Sequence, residues 1–158
     1  MAKILVCYDS RTGNTEKMAW AVAEGARVVP GMEVELRKVD DTRLDHLVEA
    51  DGIILGTPTY FAQMSSGMKR LIDESIETYG RLNDKVGGTF ASAGGVGGGG
   101  ETAVMSLILA LLSHKMIVVG DPVVTLGPLA MGEPDAEELT RCAEYGERVA
   151  EMTKKLQG

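Results

Sequence analysis

Six consecutive residues, Ser10, Arg11, Thr12, Gly13, Asn14 and Thr15, set three hydroxyls, an amide side chain and a glycine between an apolar run and a helical pattern. At such a junction the first N–H groups of the helix lack partners within it and carry the positive end of its dipole. With hydroxyl donors beside them they can cradle a single phosphate without a lysine. Neither the P-loop signature nor Gly-x-Gly-x-x-Gly is present at this turn, which takes weight from an ATPase and from a standard dinucleotide domain. The same residues also suit a plain chain turn in which Asn14 or Thr12 caps the helix.

Two more loops carry groups of interest. The stretch from Thr57 through Pro58, Thr59, Tyr60 and Phe61 to Met64 holds two adjacent aromatics in a chain that is only 4% aromatic. Half-exposed rings after a strand suit stacking on a flat molecule; the alternative is that they fold back on the core. Ser92, Ala93, Gly94, Gly95, Val96 and Gly97 open a run in which only Val96 interrupts the glycines up to Gly100. Glu101 competes there for the N-terminus of the next helix, so a second phosphate is a poor fit. Close approach of bare backbone to an uncharged, hydrogen-bonding ring edge is the more consistent use, against a merely flexible loop.

Loops of this kind need a scaffold that sets them side by side. Residues 3–8 form a nearly continuous apolar run, as in a strand covered on both faces, and the pattern returns at 52–56, 86–93 and 116–119. Residues 32–39 alternate instead, with Val34 and Leu36 between Glu33, Glu35 and Arg37, as on a half-covered edge strand. Helical periodicity fills the gaps over 15–29, 66–79 and 102–114, and a last helix over about 135–156 follows Pro134. Residues 42–49 add at most a short turn. Five strands alternating with helices predict an α/β fold of βαβ units with right-handed crossovers. In such a sheet, ligands bind beyond the carboxyl ends of the strands, where the strand order reverses. The length of 158 residues suits one domain spanning 1–158.

Composition excludes several classes. Sixteen basic and twenty-three acidic residues give a formal charge of −7 and a pI near 4.9, which argues against wrapping nucleic acid or docking on anionic lipid. The longest apolar stretch, 103–112, falls well short of the roughly 20 residues a bilayer needs. The apolar start reaches Asp9 with no cleavage site, so no signal peptide is expected. Cys7 and Cys142 stand far apart in no metal-type spacing and read as reduced structural thiols of a cytoplasmic protein. Nothing points to a metal or to a side-chain nucleophile.

A phosphate cradle, an aromatic pair and a glycine-lined edge on neighbouring loops describe a phosphorylated planar cofactor, and FMN fits all three. On these residues the chain resembles the flavodoxin-like proteins, and within them the tryptophan-repressor-binding-protein (WrbA) family of FMN-dependent NAD(P)H:quinone oxidoreductases. The segments that carry the likeness are 10–15, 56–61 with 64–69, 90–102 and 111–116. The resemblance implies a three-layer domain whose parallel sheet has the order 2-1-3-4-5, with helices on both faces. It assigns the FMN phosphate to Ser10, Thr12, Gly13, Asn14 and Thr15, with Arg11 in the same loop. It sets Pro58, Thr59, Tyr60 and Phe61 beside the isoalloxazine, and residues 92–97 around its pyrimidine edge. It also counts His114 among the residues lining the flavin, where the sequence alone reads a helix C-terminal cap with an imidazolium suited to the dipole.

The chain departs from that family in its short 78–84 segment, which lacks a lid tryptophan, and in the brief 127–132 connection, where the family carries an insertion that helps build its tetramer. Two activities follow from the resemblance. One is reduction of a quinone or similar acceptor by NAD(P)H, with a homo-oligomer as its assembly. The other is an electron carrier of flavodoxin type that docks redox partner proteins. Loops 59–63 and 92–100 contain no Asp or Glu, which favours negative charge on a reduced ring and hence the reductase.

Overall fold

The opening apolar run is strand β1 (Ala2–Tyr8), in which Ile4, Leu5, Val6 and Cys7 are wholly buried. Both of its faces are covered, which is why its sequence does not alternate. The computed structural model describes residues 1–124 and 126–157; Thr125 and Gly158, both within the expected 1–158 domain, lie outside the described residues. Around β1 the chain adds β2 (Met32–Lys38), β3 (Gly52–Pro58), β4 (Val86–Ala93), β5 (Ile117–Val118) and β6 (Leu129–Met131). Its helices are α1 (Asn14–Arg27), α2 (Leu44–Glu49), α3 (Ser66–Glu74), α4 (Gly100–Ser113) and α5 (Ala136–Gln157). All strand pairs are parallel and the order is β2-β1-β3-β4-β5, as the resemblance implies. In register, Tyr8 lies beside Gly56 and Gly56 beside Phe90, so the chain leaves β1, β3 and β4 along one edge of the sheet.

Among the described residues the sheet has six strands rather than the expected five. The stretch 116–119 contributes only Ile117–Val118, beside Val86 and Gly87 at the amino end of β4, and the carboxyl half of β4 pairs with β6, from Ala91↔Leu129 to Ala93↔Met131. The break has a local cause. Pro122 lacks a ladder donor, and the buried Asp121 carboxylate turns the chain by accepting the N–H groups of Val123 (2.6 Å) and Val124 (3.0 Å). Gly127 then brings the chain back so close to β4 that a Cβ there would lie 2.2 Å from the Thr89 carbonyl oxygen.

Alternate residues of the buried strands point to two apolar layers. Ile4, Val6, Ile54 and Phe90 pack under α1 and α5 with Met18, Val22, Tyr145 and Val149. Leu5, Cys7, Ile53 and Leu55 pack under α3 and α4 with Leu71, Leu107 and Leu111. Strand β2, at the sheet edge, leaves Glu33 and Lys38 exposed and its other residues only half-buried. The helix expected over 66–79 ends at Glu74 and continues as a 3-10 turn over 75–78, because Ser75 donates its hydroxyl to the Ile72 carbonyl (2.6 Å) and Thr78 to that of Ser75 (2.8 Å). The start of α5 is fixed by reciprocal bonds: Glu138 N–H donates to the Asp135 carboxylate (2.8 Å), and Asp135 N–H to that of Glu138 (2.9 Å).

Both cysteines are buried free thiols, and burial pushes each up to about 12. Among the described residues no helix is long and apolar enough to cross a membrane. One buried polar contact links α5 to the broken edge of the sheet. The Tyr145 hydroxyl donates to the Val119 carbonyl (2.6 Å) and accepts the Thr89 N–H (3.1 Å). Tyr145→Phe strands both backbone groups, so a loss of about 1–3 kcal/mol is expected, read as a lower urea midpoint at unchanged slope.

Candidate cofactor site

Ser92, at the carboxyl end of β4, joins the three loops. Its hydroxyl shares a 2.8 Å hydrogen bond with that of Thr15, in the first turn of α1. Its carbonyl accepts both the N–H (2.9 Å) and the hydroxyl (2.8 Å) of Thr59, just past β3. A fourth contact needs a glycine: a Cβ on Gly99, whose φ is +85°, would stand 2.6 Å from the Ala62 side chain. The loops after β1, β3 and β4 are thereby held as one unit at the carboxyl edge of the sheet, where the strand order reverses.

Loop 9–15 is organised by residues that the cap expectation did not credit. Gly13 is the N-cap of α1, at φ 97°, and makes no side-chain cap bond, so neither Asn14 nor Thr12 caps the helix. Ser10 does that work: its hydroxyl oxygen accepts the N–H groups of Gly13 (3.1 Å) and Glu16 (3.3 Å). Asp9 accepts the N–H of Ser10 (2.9 Å), and Glu16 is turned aside by accepting the Tyr8 hydroxyl (2.8 Å). Among the described residues no protein group accepts the N–H groups of Arg11, Thr12, Asn14 and Thr15. Four free N–H donors and the hydroxyl protons of Ser10 and Thr12 make a donor-rich concavity that fits a phosphate monoester. Thr15 adds its N–H, while its hydroxyl shares with that of Ser92 a hydrogen bond in which either oxygen can donate.

The second loop is a tight two-residue turn. Tyr60 and Gln63 exchange N–H···O bonds of 3.1 Å each, and between them Phe61 (φ 50°) and Ala62 (φ 63°) both lie in the left-handed region. That conformation suits Asn-Gly; for other residues it costs roughly 1–2 kcal/mol each, a strain of the kind that gathers at ligand sites. The Phe61 side chain is 100% exposed, while Tyr60 is half-buried with the Arg11 guanidinium 4.7 Å from its ring centre. In the third loop the N–H groups of residues 94–97 find no backbone acceptor among the described residues, and a Cβ on Gly94, Gly95 or Gly97 would meet nothing within 4 Å. Its backbone is open to close approach by a flat ligand.

His114 is not brought to these loops. It is the C-cap of α4, whose fourteen residues carry the chain about 20 Å back to the amino edge of the sheet. Ser75 already donates its proton to Ile72, so its oxygen accepts from His114 Nε2 (2.8 Å), and among the described residues the buried Nδ1 has no partner. The expected imidazolium on the helix dipole is not what the fold supports, because desolvation holds the ring below its ordinary pKa of 6.5. Since the unfolded chain takes up this proton first, stability should fall as pH drops below about 6.5. His46, also lowered by burial, adds to the slope. Melting curves across that range should show a shallower loss for His114→Gln.

A doubly wound parallel sheet with a single-phosphate cradle after its first strand, flanked by loops open to a flat ring, defines a flavodoxin-like protein whose cofactor is FMN. The comparisons agree. The profile of the family described as NADPH-dependent FMN reductase matches residues 42–128, and the chain belongs to that flavodoxin-like family. A flavodoxin of Aquifex aeolicus is 41% identical over 96% of this chain and 86% of its own length. An NAD(P)H dehydrogenase (quinone) of Archaeoglobus fulgidus is 36% identical over 99% and 100%. The crystal structure of a WrbA-like flavodoxin from Agrobacterium tumefaciens superposes with a TM-score of 0.89 at 29% identity, covering 99% of both chains.

Proposed function

We propose that the protein passes electrons from NAD(P)H through its FMN to a quinone or a similar small acceptor in the cytoplasm. The observation that carries this reading is the absence of any carboxylate from loops 59–63 and 92–100, together with the unengaged N–H groups of residues 94–97. Donors without acids at the ring edge stabilise the negative charge that a two-electron reduction leaves there. Relatives named NAD(P)H dehydrogenase (quinone) support the same direction.

In this reading Ser10, Thr12 and the N–H groups of Arg11, Thr12, Asn14 and Thr15 hold the phosphate, with Gly13 supplying the left-handed turn. Pro58, Thr59, Tyr60 and Phe61 flank the ring system, and residues 92–97 meet its pyrimidine edge. His114 has no part in it within one chain. FMN, when bound, supplies hydride and electron transfer; the chain's share is to bind it, orient it and set its electrostatic surroundings. The test is NADH and NADPH consumption by the FMN-loaded protein with a soluble benzoquinone as acceptor. Turnover well above that of the same concentration of free FMN is expected. Turnover no faster than free FMN, alongside electron exchange with a flavodoxin reductase, would make the protein a carrier and overturn the proposal.

A further inference from the structure

An open groove of about 600 Å³ runs beside the phosphate cradle, between the loop after β1, the end of β2 and the start of α3. Arg11, Lys38 and Arg70 bring three cations to it, against the carboxylates of Asp9 and Asp40. Asp40 is paired with Arg70 (3.1 Å), and Asp9 accepts the Ser10 N–H (2.9 Å). Arg11 and Lys38 have no ion-pair partner among the described residues, so the fold does not use their charge. Ser66 and Gly67, the first two residues of α3, line the same groove, and among the described residues no protein group accepts their N–H groups. They turn the positive end of the helix toward the three side chains. No large apolar side chain lines the groove, and Glu74 stands in the hollow that continues it past Arg70.

We propose that this groove takes the adenosine 2′-phosphate of NADPH and so makes NADPH, rather than NADH, the electron donor. Its role as a donor site rests on the reading that a nicotinamide nucleotide reduces the FMN. Position, chemistry and charge each support it. Arg11 belongs to the groove and also lies 4.7 Å from the centre of the Tyr60 ring, so the groove opens from the place assigned to the flavin. Its lining suits a phosphorylated ribose: cations and free N–H groups for the phosphate, and carboxylates that can accept from sugar hydroxyls. The same two chemistries separate NADP from NAD in dinucleotide folds. The two donors differ only in that phosphate, and a chain of −7 repels the more highly charged NADPH. A preference for NADPH therefore needs cations gathered where the phosphate lies, and Arg11 and Lys38 are there without partners of their own.

The test is calorimetric titration of the FMN-loaded protein, whose cradle is already filled, with adenosine 2′,5′-bisphosphate and with 5′-AMP. The bisphosphate should bind at least about tenfold more tightly, and the difference should shrink as salt is raised. Lys38→Gln and Arg70→Gln should each weaken the bisphosphate by about 3- to 10-fold and leave 5′-AMP unchanged, the exposure of both side chains keeping the effect moderate. Asp40→Asn, which removes a negative charge and releases Arg70, should strengthen it, and Lys38→Arg should keep the wild-type preference. With a soluble benzoquinone as acceptor, the two Gln variants should raise KM for NADPH by a similar factor and leave kcat and KM for NADH unaltered. Equal affinities for the two adenosine phosphates, or a preference that survives both Gln substitutions, would overturn the proposal while quinone reduction itself stands. Turnover no faster than free FMN with either nucleotide would instead overturn the donor role together with the reading it rests on.

Discussion

Gly146→Ala is expected to destabilise the protein by about 3 kcal/mol and to lower its thermal midpoint by roughly 6–12 °C. Helix propensity alone predicts the opposite, since alanine in a helix interior is worth about 1 kcal/mol over glycine. The crossing of α1 and α5 reverses the sign. A Cβ on Gly146 would lie 2.0 Å from the Val22 carbonyl oxygen, and one on Gly25 would lie 1.8 Å from that of Ala143. Both obstacles are backbone, so no rotamer change relieves them and the helices must separate. Separation opens the layer in which Met18, Val22, Tyr145 and Val149 pack on the sheet. Gly25→Ala should cost a similar amount, and the double variant less than the sum, because one displacement of the helices accommodates both methyls. Thermal and urea unfolding followed by circular dichroism give the measurement. A variant as stable as the parent, or more so, would mean that the helices approach less closely than described.

What could be read in advance divides along physical lines. The buried strands were legible because an apolar run of five to eight residues between helical patterns has few other uses, and β2 because its alternation marks one covered face. The split fifth strand was not, since 116–119 is as apolar as a full strand. What shortens it is a buried Asp121 turning the chain and a glycine passing under Thr89, both tertiary facts. The composition of the cofactor loops was legible, but their internal bonding was not. Asp9 and Glu16 both hold Ser10, and Asp9 gave one usable signal: an acid directly after a buried strand must find donors nearby. Thr15 reads as a phosphate ligand by type, yet its hydroxyl bonds with a residue 77 positions away. His114 shows the limit of resemblance within one chain, because a matching residue at the end of α4 lies at the opposite edge of the sheet from the loops it was grouped with.

Thr12→Val is expected to weaken FMN about 10- to 150-fold while leaving riboflavin almost unaffected. The Thr12 hydroxyl is exposed and among the described residues makes no hydrogen bond, so its loss leaves the fold undisturbed. A hydrogen bond to a charged group is worth about 1.5–3 kcal/mol, which sets the range. Ser10→Ala differs because its oxygen already accepts two N–H groups of the loop, from Gly13 and Glu16. Removing it takes a donor from the phosphate and also loosens the turn, so this variant should lose stability without ligand and weaken riboflavin slightly as well as FMN. The double variant should lose FMN by about 10²–10⁴-fold, with any loss of riboflavin traceable to Ser10 alone. Fluorescence titration of the apoprotein with the two flavins separates the contributions, since they differ only in the phosphate. Equal losses of both flavins in Thr12→Val would place the phosphate outside residues 10–15. An unchanged FMN affinity would leave the backbone N–H groups as the whole of the cradle.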